Sequence, residues 1–260
     1  PDPSVLKDLP SEGEFVRWLG ESGIPFRELA LAHTKEYGLL SEYEKLQPET
    51  CRPFNRLTMQ ESLVIKEGID MQGQELAVRE RRWYKKLAEK KFANIPKIYA
   101  LDPLTMEKVD GKNIYAYADI PFAQKKEILK RIISCLKQIH ALESVPADAD
   151  SYLEAYIGKT YSRLEKVRNL VPFANDETVM INGRRCRNIF FVKELLQEKI
   201  MRYMPQTFVL LHGDCTFSNI LLKQDQTPVL IDPRGYFGST ELYGDPAYDW
   251  VKLYYSIAGN

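Results

Sequence analysis

The stretch VLLHGDCTFSNILLK, residues 209–223, places a short polar segment between two aliphatic runs. Asp214 and Asn219 stand five positions apart within it, and Asp232 follows 13 positions after Asn219 in VLIDPRG. The aliphatic runs predict short buried strands. Such strands would hold the polar loop rigidly, which matters because a misplacement of about 1 Å can cost ~100-fold in rate. The D-x-x-x-x-N pattern followed by a second aspartate is the spacing of a phosphoryl-transfer loop.

Phosphoryl transfer needs three side-chain roles that these residues can fill. One carboxylate accepts the proton of a hydroxyl group, one amide oxygen holds a magnesium ion, and a second carboxylate bridges the metal and the phosphates. Asp214, Asn219 and Asp232 supply those groups in that order. Asp214 and Asn219 alone also fit ordinary turn residues that bond their own backbone. Their combination with Asp232 at this distance favours the catalytic interpretation.

Composition narrows the class of partner. The chain has 260 residues and is 44% hydrophobic, and its 36 Lys and Arg residues balance 36 Asp and Glu residues. A zero net charge does not favour nucleic acid or an anionic membrane, so we expect a small-molecule or protein partner. The four cysteines are widely spaced without a CxxC pair, which indicates neither a zinc site nor a disulfide framework. No apolar run approaches the roughly 18 residues of a membrane span, and no secretory leader is visible, so the sequence predicts a soluble cytoplasmic protein of undetermined oligomeric state.

Hydrophobic patterns divide the chain into two parts. A capping-box pattern in SEGEFVRWLGESG predicts an N-terminal helix, and RLTMQESLVIKEG predicts a β-hairpin. Residues 74–90 have helical spacing, and short strand-like pieces follow them. Three helical segments come after Gly111, and strand-like runs return only near residue 207. The turn signal VDG places a boundary between an N-terminal lobe, residues 1–110, and a helical catalytic lobe, residues 111–260.

Three segments together, LHGDCTFSNIL, LIDPRG and GDPAYDWVKL, resemble the aminoglycoside phosphotransferase and choline kinase family, which is related to the protein kinases. The resemblance spans nearly the whole chain. It implies an α+β, two-lobed protein-kinase-like fold with an N-terminal antiparallel sheet, one packed helix and a mainly helical C-terminal lobe. It also implies ATP and Mg²⁺ as cofactors, Asp214 as the catalytic base, and Asn219 and Asp232 as metal ligands.

The resemblance assigns nucleotide-binding roles to residues of the N-terminal lobe. Lys66 in SLVIKEG matches the strand lysine that grips the phosphates, and Glu80 matches its partner on the helix, with Glu75 as a weaker candidate. The backbone groups of Glu107 and Lys108 match the hinge that holds adenine. Taken by itself, Lys66 also fits a strand lysine that extends into solvent.

Four further residues near these motifs have expected structural roles. We expect His212 to orient the loop by hydrogen bonding and His140 to be a packing residue. On the resemblance, Asp249 braces the catalytic loop. Cys215 is expected to be a small filler residue rather than a nucleophile.

The sequence departs from the family pattern in two places. No glycine occurs between Leu39 and Glu67, so the glycine-rich cover over the nucleotide phosphates is absent or built from other residues. The sequence also stops at Asn260, soon after the metal motif. Part of the acceptor pocket is therefore expected to be missing or unusually open.

The leading functional hypothesis is a kinase that phosphorylates a hydroxyl of a small molecule, namely a sugar, aminosugar or aminoglycoside-like acceptor. Residues 150–190 are expected to wall this acceptor with Tyr152, Glu154, Tyr156, Asp176, Glu177 and Asn182. The stripe formed by Tyr152, Tyr156 and Tyr161 would suit an aromatic wall for a cationic acceptor such as choline, but such a stripe more commonly indicates half-buried packing.

Alternatives from other classes stay open at this point. They are a choline or ethanolamine kinase of cell-envelope metabolism, and a catalytically silent nucleotide-binding homologue. A protein kinase is disfavoured because no Ala-Pro-Glu-like segment follows Asp232. The intact Asp214, Asn219 and Asp232 argue against the silent homologue.

Overall fold

A computed structural model of the protein describes residues 54–117 and 119–259, together with residues 18, 21 and 23. The N-terminal helix predicted in SEGEFVRWLGESG therefore lies largely outside the described residues. Of that segment, Trp18 has a helical backbone, as does Glu21.

The described part begins with a four-stranded antiparallel sheet and one helix. The elements are β1 (Asn55–Met59), β2 (Leu63–Gly68), helix α1 (Met71–Glu89), β3 (Ile98–Leu101) and β4 (Leu104–Glu107). The strand order is β1-β2-β4-β3. The predicted hairpin, the helix after it and the two following strands are thus confirmed.

Helix α1 forms where the sequence carries both a cap and an apolar stripe. The Asp70 side chain accepts a hydrogen bond from the backbone amide of Gly73 at 2.7 Å and so caps the first turn. Trp83, Tyr84 and Leu87 follow at helical spacing and are completely buried. The opposite face of the helix is rich in charged side chains.

The remaining elements are β5 (Gly111–Asn113), α2 (Phe122–Leu142), β6 (Ser144–Pro146), α3 (Ala149–Leu153), a π-helical turn (Glu154–Gly158), α4 (Lys159–Lys166), β7 (Thr178–Ile181), β8 (Arg184–Arg187), α5 (Lys193–Met201), β9 (Thr207–Leu210), β10 (Ile220–Lys223), β11 (Pro228–Leu230), β12 (Tyr243–Gly244) and α6 (Pro246–Ala258). The predicted helical segments correspond to α2, to α3 through α4, and to α5. None of the described helices is long and apolar enough to cross a membrane.

The sequence analysis did not predict the β7–β8 hairpin or the short strand β6. The hairpin turns at Asn182 and Gly183, which both have positive φ, 49° and 75°. An Asn-Gly pair is the usual signature of this kind of turn, so a signal was present in the sequence. Strand β6 has only three residues and exists because it pairs with β9.

Residues 209–223 are held by two small sheets. Strand β9 lies between β6 and β12, and β10 lies between β5 and β11. The aliphatic side chains of β9, β10 and β11 are core residues, and Leu210, Ile220, Leu222 and Leu230 are all fully buried. The polar loop of residues 211–219 connects β9 to β10, so both of its ends are anchored in the core.

Candidate active site

Asp249 on α6 fastens the start of the polar loop. Its carboxylate accepts the backbone amide of His212 at 2.9 Å and that of Gly213 at 2.7 Å, and the ring of His140 lies 3.0 Å from the same carboxylate. The Asp249 side chain is completely buried. These contacts confirm the expectation that Asp249 braces the loop. His140 was expected only to pack. It does pack against Trp250, but it also hydrogen-bonds the carboxylate of Asp249.

His212 has a single tautomer that satisfies both of its neighbours. Its Nε2 lies 3.0 Å from the carbonyl oxygen of Ile231, which can only accept, and its Nδ1 accepts the amide of Asp214 at 3.3 Å. The proton therefore resides on Nε2. Complete burial lowers the pKa of His212, which keeps the ring neutral. The expected orienting role of His212 matches this geometry.

Asp214 projects from the loop and is contacted through both carboxylate oxygens. Oδ1 is 2.9 Å from Nζ of Lys252 on α6, and Oδ2 is 3.3 Å from Nδ2 of Asn219. Burial acts to raise the pKa of Asp214. The hydrogen bond and charge of Lys252, with a smaller effect from Arg234, outweigh burial and lower this pKa. Asp214 is therefore a carboxylate at neutral pH.

Lys66, Glu80 and Asp232 form a linked set of ion pairs. Nζ of Lys66 on β2 lies 2.7 Å from Oε2 of Glu80 on α1 and 2.7 Å from Oδ1 of Asp232. Burial acts to lower the pKa of Lys66, but the two carboxylates reverse this effect and raise it. The Lys66 side chain is only 14% exposed, so the alternative of a lysine extended into solvent is wrong. Glu75 pairs with Arg79 on the surface of α1 instead.

Asn219 and Asp232 lie side by side because β10 and β11 are antiparallel. Ile220 is in register with Leu230, and the amide of Ile231 donates to the carbonyl of Asn219 at 3.0 Å. The Asn219 amide nitrogen donates to the backbone oxygen of Asp214 at 2.8 Å, which fixes the orientation of Oδ1. Asp232 has a φ of 53°, uncommon for a residue other than glycine.

These two side chains fit a magnesium ion that also binds phosphates. Asn219 presents an oriented amide oxygen, and the Asp232 side chain is 45% exposed beside the ion pair. Among the described residues no group of three or more His, Cys, Asp and Glu side chains forms a preassembled metal cage. Magnesium is usually held by one or two protein oxygens together with substrate phosphates and water.

A cavity of about 600 Å³ joins the sheet to the catalytic loop. Lys66, Asp214 and Asp232 line its polar part. Apolar side chains line the rest, including Leu57, Val64, Leu76, Met106, Leu221 and Ile231. A nucleotide fits a cavity with one apolar and one polar part, because its base is flat and aromatic and its phosphates are charged.

The backbone amides of the two expected hinge residues, Glu107 and Lys108, donate to other backbone carbonyls. The amide of Glu107 donates to the carbonyl of Lys97 at 2.8 Å, and the amide of Lys108 donates to that of Ser62 at 2.9 Å. Both predicted residues line the cavity, but their amide donors are already used. Val109, the next residue, also lines the cavity.

The glycine-free segment is only partly described. Within residues 54–67, the β1–β2 turn closes with the amide of Gln60 donating to the carbonyl of Leu63 at 2.9 Å. Ser62 of this turn bonds Lys108 at the hinge. At about 3.3 Å per residue along the strand, the turn is well separated from Lys66. The remainder of the glycine-free segment, residues 40–53, lies outside the described residues, and so does that part of the expectation about the phosphate cover.

Sequence reasoning missed Lys252 and Arg234. Lys252 follows Asp249 by three positions in YDWVKL, so a helical reading would have placed both on one face of α6. Arg234 lines the cavity, and its amide donates to the carbonyl of His212 at 2.9 Å. The close approach of the Arg234 side chain to Gly213, whose φ is 80°, leaves room for no side chain at that position.

The side chains of the tyrosine stripe are mainly packing residues in the structure. Tyr152 is 2% exposed and contacts Phe208, and Tyr161 is 6% exposed with its hydroxyl donating to the carbonyl of Ile189. Tyr156 is less buried and donates to Oδ2 of Asp245 at 3.0 Å. Tyr152 and Tyr161 are therefore core residues, in agreement with the packing interpretation.

Fold and site together define the class of protein: a kinase-like small-molecule phosphotransferase. A family model described as the phosphotransferase enzyme family matches residues 69–259, and the chain belongs to this family. No curated protein matches the sequence.

Several solved structures share the fold. A streptomycin–ATP–APH(2'')-IIa ternary complex has a TM-score of 0.54 at 19% identity, covering 83% of this chain and 76% of that one. The ADP-bound aminoglycoside phosphotransferase APH(2'')-Ib has a TM-score of 0.53 at 18% identity, covering 81% and 73%. A glucosamine kinase in complex with glucosamine, ADP and inorganic phosphate has a TM-score of 0.50 at 15% identity, covering 78% and 56%. These similarities confirm the predicted kinase-like α+β fold.

Proposed function

We propose that the protein transfers the terminal phosphoryl group of ATP to a hydroxyl group of a small sugar-like molecule in the cytoplasm. The observation that carries this proposal is that the Lys66–Glu80–Asp232 ion pairs and the carboxylate of Asp214 line one cavity. The thiols described, Cys135, Cys186 and Cys215, are unpaired, which suits a reducing compartment.

The nucleotide would lie between the two proposed lobes, residues 1–110 and 111–260. The first lobe supplies Lys66, whose ammonium would contact the phosphates while Glu80 holds it in place. The amino group of adenine needs an acceptor and its ring nitrogen needs a donor. The carbonyl of Glu107, the carbonyl of Lys108 and the amide of Val109 are the hinge groups that fit these needs.

Asn219 and Asp232 would hold magnesium through their side-chain oxygens. When bound, the ion neutralises phosphate charge and orients the terminal phosphate. The role of the chain is to present the two oxygens at a fixed spacing, which the β10–β11 pairing and the Asn219–Asp214 hydrogen bond support.

Asp214 would accept the proton of the acceptor hydroxyl. A general base has to lie within hydrogen-bond reach of that proton. The loop contacts made by Asp249 and His212 fix the backbone of Asp214, and Lys252 restrains Oδ1. Oδ2, which faces Asn219 at the longer distance of 3.3 Å, is the oxygen better placed to turn toward the hydroxyl.

The metal assignment is tested by titrating ATP calorimetrically with and without magnesium. We expect Asp232→Ala to remove the gain in ATP affinity that magnesium provides, because a ligand oxygen and its charge are both lost. Asn219→Ala is expected to weaken this gain less. Asp225→Ala, at an exposed turn between β10 and β11, is the control. An undiminished magnesium effect in Asp232→Ala would place the metal elsewhere.

The reaction is tested by measuring ADP release with a panel of acceptors. The panel contains sugars, aminosugars, aminoglycosides, choline and a generic protein. We expect a sugar-type hydroxyl to be phosphorylated. A preference for choline or the protein over every sugar derivative would overturn the proposed acceptor class while leaving the kinase assignment in place.

A further inference from the structure

The β7–β8 hairpin forms a sheet of its own. Its strands, Thr178–Ile181 and Arg184–Arg187, are joined by a two-residue turn, and neither pairs with another strand of the described chain. Both outer edges of this sheet are therefore unpaired within residues 54–117 and 119–259. A two-stranded hairpin is only marginally stable by itself. An unpaired edge of this kind is a template for pairing with another chain.

The base of the hairpin is fixed by Asn188, which is buried. Its side-chain amide donates to the carbonyl oxygens of Phe173 at 2.8 Å and of Asp176 at 2.7 Å, and its backbone amide donates to the carbonyl of Glu177 at 2.8 Å. These bonds use only backbone atoms of Asp176 and Glu177, and both residues are exposed. The hairpin is thus anchored at its base, where it carries two exposed carboxylates.

The two edges of the hairpin differ in their side chains. Strand β7 has the sequence TVMI and carries no charge, and its Met180 and Ile181 are 65% and 53% exposed. Strand β8 has the sequence RRCR, and its three arginines are exposed. Charged side chains on an edge strand discourage pairing with another strand. The β7 edge is therefore the one that is open to pairing.

Strand β7 has backbone groups available for such pairing. Ile181 is in register with Arg184 across the two-residue turn, and Met180 is in register with Arg185. A pair that closes a two-residue turn exchanges hydrogen bonds within the hairpin, and pairs along an antiparallel ladder alternate between bonded and non-bonded. The amide and carbonyl of Met180, and those of Thr178, therefore point away from β8.

The charges of the hairpin are separated along its length. Asp176 and Glu177 lie at its base, and Arg184 and Arg185 follow the turn at its tip. None of these four side chains forms an ion pair with another described residue. When two copies of β7 pair antiparallel about a two-fold axis, the base of each hairpin lies next to the tip of the other. The carboxylates of one copy then face the arginines of the other at both ends of the interface.

Apolar side chains at the base and the tip add to this match. Phe173 and Phe191, whose backbones hydrogen-bond Asn188 at the base, are 47% and 41% exposed, and Ile181 at the tip is also exposed. In the antiparallel arrangement these groups lie in the same part of the interface, where they are shielded from water. Exposed apolar patches usually mark interaction surfaces.

We propose that β7 pairs antiparallel with β7 of a second copy of the chain, so that the two hairpins form one four-stranded sheet in the order β8-β7-β7-β8. A second copy is favoured over a different partner because the hairpin itself supplies both halves of the charge complement. Pairing through β8 is disfavoured because it would bring the arginines of both copies together. The inference goes beyond the proposed function and does not depend on it.

The first test measures the mass of the protein by sedimentation equilibrium over a range of concentrations. A single chain has a mass of 30.1 kDa, and we expect the wild type to form a reversible dimer. Met180→Glu introduces a charge close to its own symmetry mate and should raise the Kd of the dimer by about 10-fold or more. Met71→Glu is the matched control, because Met71 is also exposed but lies at the start of α1.

Two outcomes of this measurement would overturn the inference. One is a wild type that stays monomeric at the highest concentration at which it is soluble. The other is a dimer whose Kd is the same in the wild type and in Met180→Glu, which would place the interface on another surface. Either result would leave the proposed kinase function intact.

The second test reverses the charges at each end of the hairpin. One variant combines Asp176→Lys with Glu177→Lys at the base, and the other combines Arg184→Glu with Arg185→Glu at the tip. Each variant alone should dimerise more weakly than the wild type, because like charges then meet at both ends of the interface. An equimolar mixture of the two should form a heterodimer, because opposite charges meet again at both ends. A mixture that associates no better than either variant alone would show that base and tip do not meet, and the inference would be wrong.

Discussion

Asp214 is held by a different contact at each carboxylate oxygen, Lys252 at Oδ1 and Asn219 at Oδ2. Contacts at both oxygens restrain rotation of the carboxylate. This restraint matters because a base that rotates freely loses the alignment on which proton transfer depends. The backbone beneath Asp214 is equally restrained, since the amides of His212 and Gly213 both donate to Asp249. At the scale of the residue, the site is a positioned carboxylate rather than an exposed one.

Asp214→Asn tests this role directly. We expect kcat to fall by about 10²- to 10⁴-fold, the usual contribution of a general base, because an amide cannot accept the hydroxyl proton. Nucleotide affinity should stay within a few-fold, since the nucleotide contacts are assigned to Lys66 and Asp232. Steady-state kinetics and calorimetric ATP titration measure the two effects, with Asp225→Asn as the control. Near-normal turnover in Asp214→Asn would mean that another group takes the proton.

At the scale of elements, the start of α1 depends on a close approach of the chain to itself. A Cβ atom added at Gly73 would lie 1.9 Å from the carbonyl oxygen of Phe54, which is backbone and cannot move aside alone. Gly68 at the end of β2 is equally crowded by the backbone of Gly73. This packing sets the distance between the strand that carries Lys66 and the helix that carries Glu80.

Gly73→Ala is therefore expected to destabilise the protein, although alanine has a higher helix propensity than glycine by about 1 kcal/mol. Overpacking costs typically about 1–3 kcal/mol, and here the clash is with backbone. ATP affinity should also fall, because Glu80 is displaced from Lys66. Gln74→Ala, at the exposed neighbouring position, is the control. Thermal unfolding and ATP titration of the two variants provide the measurement, and equal melting temperatures would contradict the argument.

At the scale of the whole described molecule, α1 is joined to the catalytic loop and to the segment after α2. Trp83 donates its indole N–H to the carbonyl of Leu211 at 2.7 Å. Glu143, which follows α2, pairs with Lys86 at 2.9 Å and Lys90 at 2.8 Å, and accepts the hydroxyl of Tyr243 at 2.9 Å. These contacts connect the helix that carries Glu80 to the start of the catalytic loop and to the segments on either side of β9.

The Glu143 contacts make a pH-dependent contribution to stability. Hydrogen bonds from Lys90, Lys86 and Tyr243 lower the pKa of Glu143 to about 2. Because its pKa is lower in the folded state, the contribution is complete above the unfolded pKa of about 4.3 and is lost as the pH falls toward 2. We expect Glu143→Gln to lower the melting temperature at pH 6 and to have a smaller effect at pH 3.

The control for this prediction is Glu61→Gln in the exposed β1–β2 turn, which should change the melting temperature little at either pH. A Glu143→Gln effect of the same size at pH 6 and pH 3 would show that packing, and not charge, accounts for the contribution.

Local sequence patterns were sufficient to predict those helices and strands whose caps, turns and apolar residues lie within the element itself. The β1–β2 hairpin, α1 and the core strands around the catalytic loop carry caps, turns and apolar runs that are readable over 5 to 20 residues, roughly the length of one element. The very short strands β6 and β12 carry no such signal, because they exist only through pairing with β9. The extra residue of the π-helical turn is equally invisible in a periodic pattern.

The sequence by itself was sufficient to propose the candidate site residues. They are a carboxylate, an amide and a second carboxylate at the spacing of a phosphoryl-transfer loop, together with a strand lysine and a helix glutamate earlier in the chain. Only the tertiary structure decided which charges meet. Lys66 reaches Asp232 across 166 positions, and Lys252 restrains Asp214. The physical reason is that spacing along a chain fixes local geometry, whereas the partners of a charge depend on how distant strands and helices pack.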